Sequence, residues 1–199
     1  MIGRRSTQPP SPSDRARVRA ESIAWAAAVA RHRNTVYLDT ETTGLDGSAE
    51  IVEIAVLDGL GRVLMDTLVR PRSRIPPDAE AIHGISNAMV ASAPEWHLVH
   101  AELALILLHR SVIVYNAEFD IKMVRQMNHR HGIQSAHDGW HCAMQRYSGF
   151  AGAWHERYGG YRWHKLDHAV TSFGHSPGGH RALADATACR LVVEGMAAG

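Results

Sequence analysis

The order in which hydrophobic periods change along the chain limits its fold more than any other feature. Between Thr35 and Val69 apolar and β-branched runs are separated by turn residues, and from Pro94 onward helical spacing alternates with short apolar runs. Val36-Tyr37-Leu38 reads as a short strand ending at Asp39, followed by a turn at Thr42 to Gly44. Ile51 to Leu57 and Val63 to Val69 flank Asp58-Gly59 and Gly61, which predicts an antiparallel hairpin. Pro76 and Pro77 then break the chain before a short helix. Pro94 opens a helix to about His109 with Leu98, Leu103, Ile106 and Leu107 on its apolar side. Val112 to Tyr115 is a buried strand, and Glu118 to about His131 is a helix with Met123 and Met127 in the core. Trp140 to Met144 reads as strand or turn, and Tyr147 to Tyr161, with four glycines among aromatics, as a mobile loop. Lys165 to Phe173 and Ala182 to Met196 are helical. A hairpin followed by strands alternating with helices predicts an α/β fold: a mixed sheet, antiparallel then parallel, flanked by helices.

Composition narrows the class. The 199 residues, 45% hydrophobic and 21% charged, suit one globular α/β domain. The longest apolar run, Ile23 to Ala30, is far short of the roughly 20 residues of a spanning helix, so membrane transport is excluded and no membrane partner is expected. Two cysteines, Cys142 and Cys189, make neither a disulfide framework nor a zinc site, and Trp140-His141-Cys142 lacks a second ligand pair. A reducing, cytoplasmic location is expected. Residues 1–13 are rich in Pro and Ser, free of acids until Asp14, and expected to be flexible; their prolines oppose a transit-peptide helix. Ser13 is placed as the cap of a helix from Asp14 to about His32, on which Trp25 packs against the domain or a partner.

Charge is unevenly spread. Seven arginines against Asp14 and Glu21 give residues 1–34 a net charge of +5, leaving −4 for the remainder. The chain therefore divides into a basic leader and helix, residues 1–33, and a domain over 34–199; the leader suits contact with DNA or a partner protein.

Three groups of residues carry chemistry. Asp39 and Glu41, two apart at a strand end, share a face and repel each other unless a hard divalent cation sits between them. Asp120 falls in the first turn of the helix that follows Val112 to Tyr115. His180 and Asp185, five apart, cannot share a helix face; Pro177-Gly178-Gly179 places the histidine in a loop and the aspartate in the helix.

Val36-Tyr37-Leu38-Asp39-Thr40-Glu41-Thr42-Thr43-Gly44-Leu45, Tyr115-Asn116-Ala117-Glu118-Phe119-Asp120 and His180 to Asp185 resemble the three motifs of the DnaQ-like 3′→5′ exonucleases, the histidine-containing DEDDh subtype with a polymerase III epsilon-type domain. The likeness covers about residues 35–195, with Glu53 to Ala55 and Ile82-His83-Gly84-Ile85 also familiar from that family. It implies a ribonuclease H-like fold and two Mg²⁺ or Mn²⁺ ions held by Asp39, Glu41, Asp120 and Asp185. His180 is then the general base, with activity falling below about pH 6. Thr42, Thr43, Gly44, Leu45, His83, Tyr115 and Asn116 would contact the terminal nucleotide, although many epsilon-type members carry His where this chain has Tyr115. Bound metal reverses the sign of an acidic site on an enzyme that binds a polyanion.

Trp154, Tyr158, Tyr161 and Trp163, interleaved with Arg157, Arg162 and Lys165, either stack on single-stranded bases or pack inward. The expected function is removal of nucleoside 5′-monophosphates from single-stranded 3′ ends, DNA over RNA, with RNA trimming as the alternative. A non-catalytic end-binding module is disfavoured because all five catalytic positions are present. The chain ends at Gly199, shortly beyond the third motif, so a stand-alone or adaptor-held trimming enzyme is expected rather than a replicative proofreader.

Overall fold

A computed structural model describes residues 8–134, 137 and 139–199. The expected flexible tail lies largely outside them. Helix α1, Pro12–Val29, leads into strands β1 (Thr35–Thr42), β2 (Ile51–Asp58) and β3 (Val63–Leu68). Helices α2 (Pro77–His83), α3 (Asn87–Val90) and α4 (Trp96–Leu107) precede β4 (Ser111–Val114), α5 (Ala117–Arg130) and β5 (Trp140–Cys142). Helix α6 (Ala143–Ala151), a hairpin of β6 (Trp154–His155) and β7 (Gly160–Tyr161), α7 (Leu166–Ser172) and α8 (Ala182–Ala198) complete the chain. The main sheet runs β3-β2-β1-β4-β5. β3, β2 and β1 are antiparallel neighbours, whereas β4 is parallel to both β1 and β5.

Alternation along β1 divides the interior in two. Val36 and Leu38 join Ile54, Val56, Val112 and Val114 beneath α4 and α5, with Trp96, Leu103, Met123 and Met127. Tyr37 points the other way, into a second core of Ile113, Tyr115, Tyr147, Val170, Val192 and Met196 under α1, α6, α7 and α8. A sheet covered on both faces explains why every residue of β2 is buried. No helix among the described residues is long and apolar enough to cross a membrane.

Several sequence expectations are corrected. Helix α1 begins at Pro12 because Ser11, not Ser13, caps it by accepting the Asp14 N–H, and Pro suits a first turn whose N–H groups lack helical partners. It packs on the domain: Ala26 and Ala30 are core, Tyr37 donates its hydroxyl to the Ala30 carbonyl, and Trp25 is half-buried with Arg146 over its ring. β1 runs past Asp39 to Thr42, so both acids lie inside the strand; β2 pairs with it throughout and places small Ala55 opposite Asp39. Leu98 on α4 is exposed, and Trp96, Val99 and His100 are buried in its place.

The stretch from Tyr147 to Tyr161 is no open loop. Its first part is the end of α6, where Gly149 permits close approach to α1: a Cβ there would meet Val18 Cγ1 at 2.8 Å. Its second part is the β6–β7 hairpin, closed by Trp154 edge-on to Tyr161 and anchored where the Tyr115 hydroxyl donates to the His164 carbonyl.

Glu50, just before β2, is buried at 1% exposure and accepts the N–H groups of Arg72 and Ser73 and the Ser73 hydroxyl. Burial pushes its carboxyl up, but these hydrogen bonds outweigh it and hold the group below the usual carboxylate value. Its stabilisation is therefore present above the unfolded-state pKa and lost as pH falls through the folded one. Glu50→Gln should cost about 1–3 kcal/mol at neutral pH, with the gap to wild type closing toward pH 3 in urea denaturation. Gly149→Ala should lower stability by about 1–3 kcal/mol through overpacking, with Val18→Ala recovering part of the loss in the same assay.

Candidate active site

Period-two geometry assigns the acids of β1. Tyr37, Asp39 and Glu41 face the α8 side, and Thr40 faces the α5 side. Asp185, in the first turn of α8, meets the first pair: one ligand oxygen from each of Asp39, Glu41 and Asp185 lies within 4.8 Å of the others. Thr40 reaches the fourth acid from the opposite face, its hydroxyl donating to Asp120 Oδ1 at 2.7 Å. A slip of one residue in β1 would exchange these roles.

The site is short of positive charge. Burial first, then the carboxylates of Asp120, Asp185, Glu41 and Glu53, push Asp39 well above the usual range. Burial and Asp185 push Glu41 up to about 8. Burial also raises Asp120 and Asp185. Asp185 Oδ1 is buried with no hydrogen-bond partner. Converging hard oxygen donors, one without a donor of its own, fit a divalent cation. Among the described residues this is the one such cluster, and Cys142 and His141 are not part of one.

His180 stands in the loop before α8 with a left-handed backbone, φ 57°. Its side chain is 57% exposed, and Nδ1 lies 3.9 Å from Asp185 Oδ2. The five acidic and imidazole residues picked from the sequence therefore come to one end of the sheet. The neighbouring turn is held by a stripe on α5: Lys122 donates to the Leu45 carbonyl, Gln126 to Ala49 and Arg130 to Gly47. Thr42 closes the turn by donating to the Gly44 carbonyl, and Thr43 accepts the Glu50 N–H. Leu45 is left 77% exposed at its tip.

The remaining residues picked from the sequence are placed unequally. Asn116 is exposed at the start of α5. His83 is buried; its Nδ1 accepts the Ile85 N–H, and burial lowers its pKa. Tyr115 is only 5% exposed, with its hydroxyl committed to the main chain of His164, so it buttresses the hairpin from the core. Of the aromatic group, Trp154 and Tyr161 pack together, whereas Tyr158 and Trp163 are exposed at 65% and 63%.

Two residues that the motifs contain are given no role in the sequence reading. Glu53, opposite Glu41 in the β1–β2 register, is buried and binds Arg181, the residue after His180. A motif shows that both residues occur; only the fold brings together positions 128 apart in sequence.

Comparison with known proteins agrees with this geometry. Residues 36–192 match the RNase_T family, described as exonuclease. Uncharacterized exonuclease CP81 of Escherichia phage 186 is 38% identical over 174 residues, covering 82% of this chain and 88% of that protein. Exodeoxyribonuclease 10 of Escherichia coli strain K12 is 36% identical over 103 residues, covering 45% of this chain and 40% of the enzyme. DNA polymerase III subunit epsilon of Rickettsia felis is 35% identical over 95 residues, covering 45% and 42%. The chain thus spans under half the length of those last two relatives. Exonuclease X in complex with 5′ overhanging duplex DNA superposes with a TM-score of 0.59 at 28% identity, covering 83% of this chain and 92% of that one. A 3′-exonuclease structure described as recognising the histone mRNA stem-loop gives 0.69 at 16% identity, covering 86% and 66%, a likeness of fold. A family match over most of the domain, a phage exonuclease alike along most of its length and an acid cluster of a geometry that can hold a cation agree: the chain belongs to the RNase_T family of DnaQ-like, divalent-metal-dependent exonucleases, which hydrolyse nucleic acids from their ends.

Proposed function

We propose that the protein removes nucleoside 5′-monophosphates one at a time from 3′ ends of single-stranded DNA, with two Mg²⁺ or Mn²⁺ ions held by Asp39, Glu41, Asp120 and Asp185. The observation that carries this reading is the convergence of Asp39, Glu41 and Asp185, drawn from two elements far apart in sequence. Such ions, when bound, make a bound water acidic, stabilise the leaving oxygen and offset charge growing on the phosphate. His180 takes the proton of the attacking water at Nε2, because Nδ1 is turned toward Asp185. Thr42, Thr43, Gly44 and exposed Leu45 form the side of the site that receives the terminal nucleotide, and Asn116, exposed at the start of α5, also contacts it. His83, buried at the end of α2, and Tyr115 belong to the same contact set.

DNA is favoured because the likeness at 28% identity is to an exonuclease holding DNA with an overhang, and a curated relative is named an exodeoxyribonuclease. In this reading residues 34–199 form the exonuclease domain, while the basic segment 1–33, with Arg15 and Arg17 exposed on α1, contacts DNA or a partner protein.

Matched 5′-labelled single-stranded DNA, RNA and blunt duplex, digested with Mg²⁺, Mn²⁺ or EDTA, test the reading. A metal-dependent ladder shortening from the 3′ end, fastest on single-stranded DNA and reduced at least about 10³-fold in Asp39→Asn, is expected. A preference for RNA would reassign the substrate, and a native protein that digests no polymer would refute the proposal.

The same variant reports on charge crowding without substrate. Raised folded-state pKa values mean that Asp39 and its neighbours favour folding when protonated and oppose it as pH rises above the unfolded value. In EDTA, Asp39→Asn should therefore melt about 2–4 °C or more above wild type at pH 8, with little difference near pH 4. Adding Mn²⁺ should raise the wild-type Tm and leave the variant nearly unmoved.

A further inference from the structure

His180 is held by little of its own. Its ring is largely exposed, its nearest acidic oxygen is 3.9 Å away, and its backbone is left-handed, a conformation unfavourable to any residue with a side chain. Something else in the structure must fix it. On one side, Gly179 is also left-handed at φ 78°, and Gly178 crosses directly over Asp185: a Cβ there would lie 1.9 Å from Oδ1. On the other side, Arg181 Nε donates to both oxygens of Glu53 at 3.0 Å, and Nη2 donates to Oε1. The N–H of Ala182 donates to Glu53 Oε2 at 2.9 Å. Glu53 is buried in the middle of β2, so it is a rigid anchor. It also faces Glu41 across the β1–β2 pair, where its charge would repel the acid cluster if Arg181 did not offset it.

We propose that Arg181, latched onto Glu53, is a positioning residue: it fixes the chain immediately after His180 so that the imidazole stands over Asp39, Glu41 and Asp185. The inference rests on His180 as the proton acceptor. The latch joins the loop to the same strand pair that carries Asp39 and Glu41, so base and metal ligands share one frame. A bidentate guanidinium fixes direction as well as distance, which a lysine does less well.

The experiment combines Arg181→Met and Arg181→Lys with a His180→Ala background in the full chain. Arg181→Met should lower kcat about 10–100-fold with KM for a single-stranded oligonucleotide changed less than about twofold, and Arg181→Lys should recover part of the loss. In the His180→Ala enzyme the same substitution should cost less than about twofold, since it acts through a group already gone. Equal losses in both backgrounds would overturn the proposal, because Arg181 would then act on the metal site or on stability at large. Hydrogen exchange in the metal-free protein gives a readout independent of turnover. Arg181→Met should speed exchange of the Ala182 amide about tenfold or more while α8 beyond Ala186 is unchanged. An unchanged Ala182 amide, or faster exchange along all of α8, would also overturn it. A His180→Ala enzyme as fast as wild type would remove the base assignment and with it the catalytic purpose of the latch, while the exchange result would still show whether the latch exists.

Discussion

The burial of carboxylates beside one another governs this molecule. Asp39, Glu41, Asp120 and Asp185 are gathered into a poorly solvated corner, where burial disfavours ionisation of all four and the neighbouring carboxylates add to it at Asp39 and Glu41. No fold collects such groups for stability alone. The surrounding structure has to supply rigidity enough to hold them together until a cation offsets their charge, and the fold provides it from three directions.

β1 supplies the first, because a strand buried on both faces cannot rotate its side chains away, and its alternation sends Asp39 and Glu41 to α8 while Thr40 reaches back to Asp120. The start of α8 supplies the second, with Asp185 lodged beneath Gly178. The third is Glu53, an acid that adds to the local negative charge yet is bound by Arg181 and the Ala182 N–H. On the far side of the turn, Lys122, Gln126 and Arg130 recur every four residues on α5, so a single helical face fixes the loop from Leu45 to Ala49. Metal side and nucleotide side are thus braced by different helices.

Much of this was legible in the sequence, because local patterns encode local geometry. Alternation at Asp39 and Glu41 gave a shared face, the Pro-Gly-Gly run separated His180 from its helix, and Asp-Gly turn residues marked the β2–β3 hairpin. What stayed hidden depends on distant partners. Gly149 looked like a loop residue because its close approach to Val18 on α1 cannot be seen from its neighbours. The hydroxyl partner of Tyr115, the carbonyl of residue 164, likewise lies far along the chain and has no local signature. Nothing near Glu50 in sequence indicates that Arg72 and Ser73 fold back upon it.

The order of the site residues along the chain bears on biosynthesis. A ribosome releases Asp39 and Glu41 early, but Asp185 follows only with α8, whose apolar face also completes the core around Tyr37 and Ile113. A nascent chain lacking α8 has neither the third carboxylate nor the finished core beneath the first two. A chain made in this order closes its acid cluster only after α8 has emerged and docked.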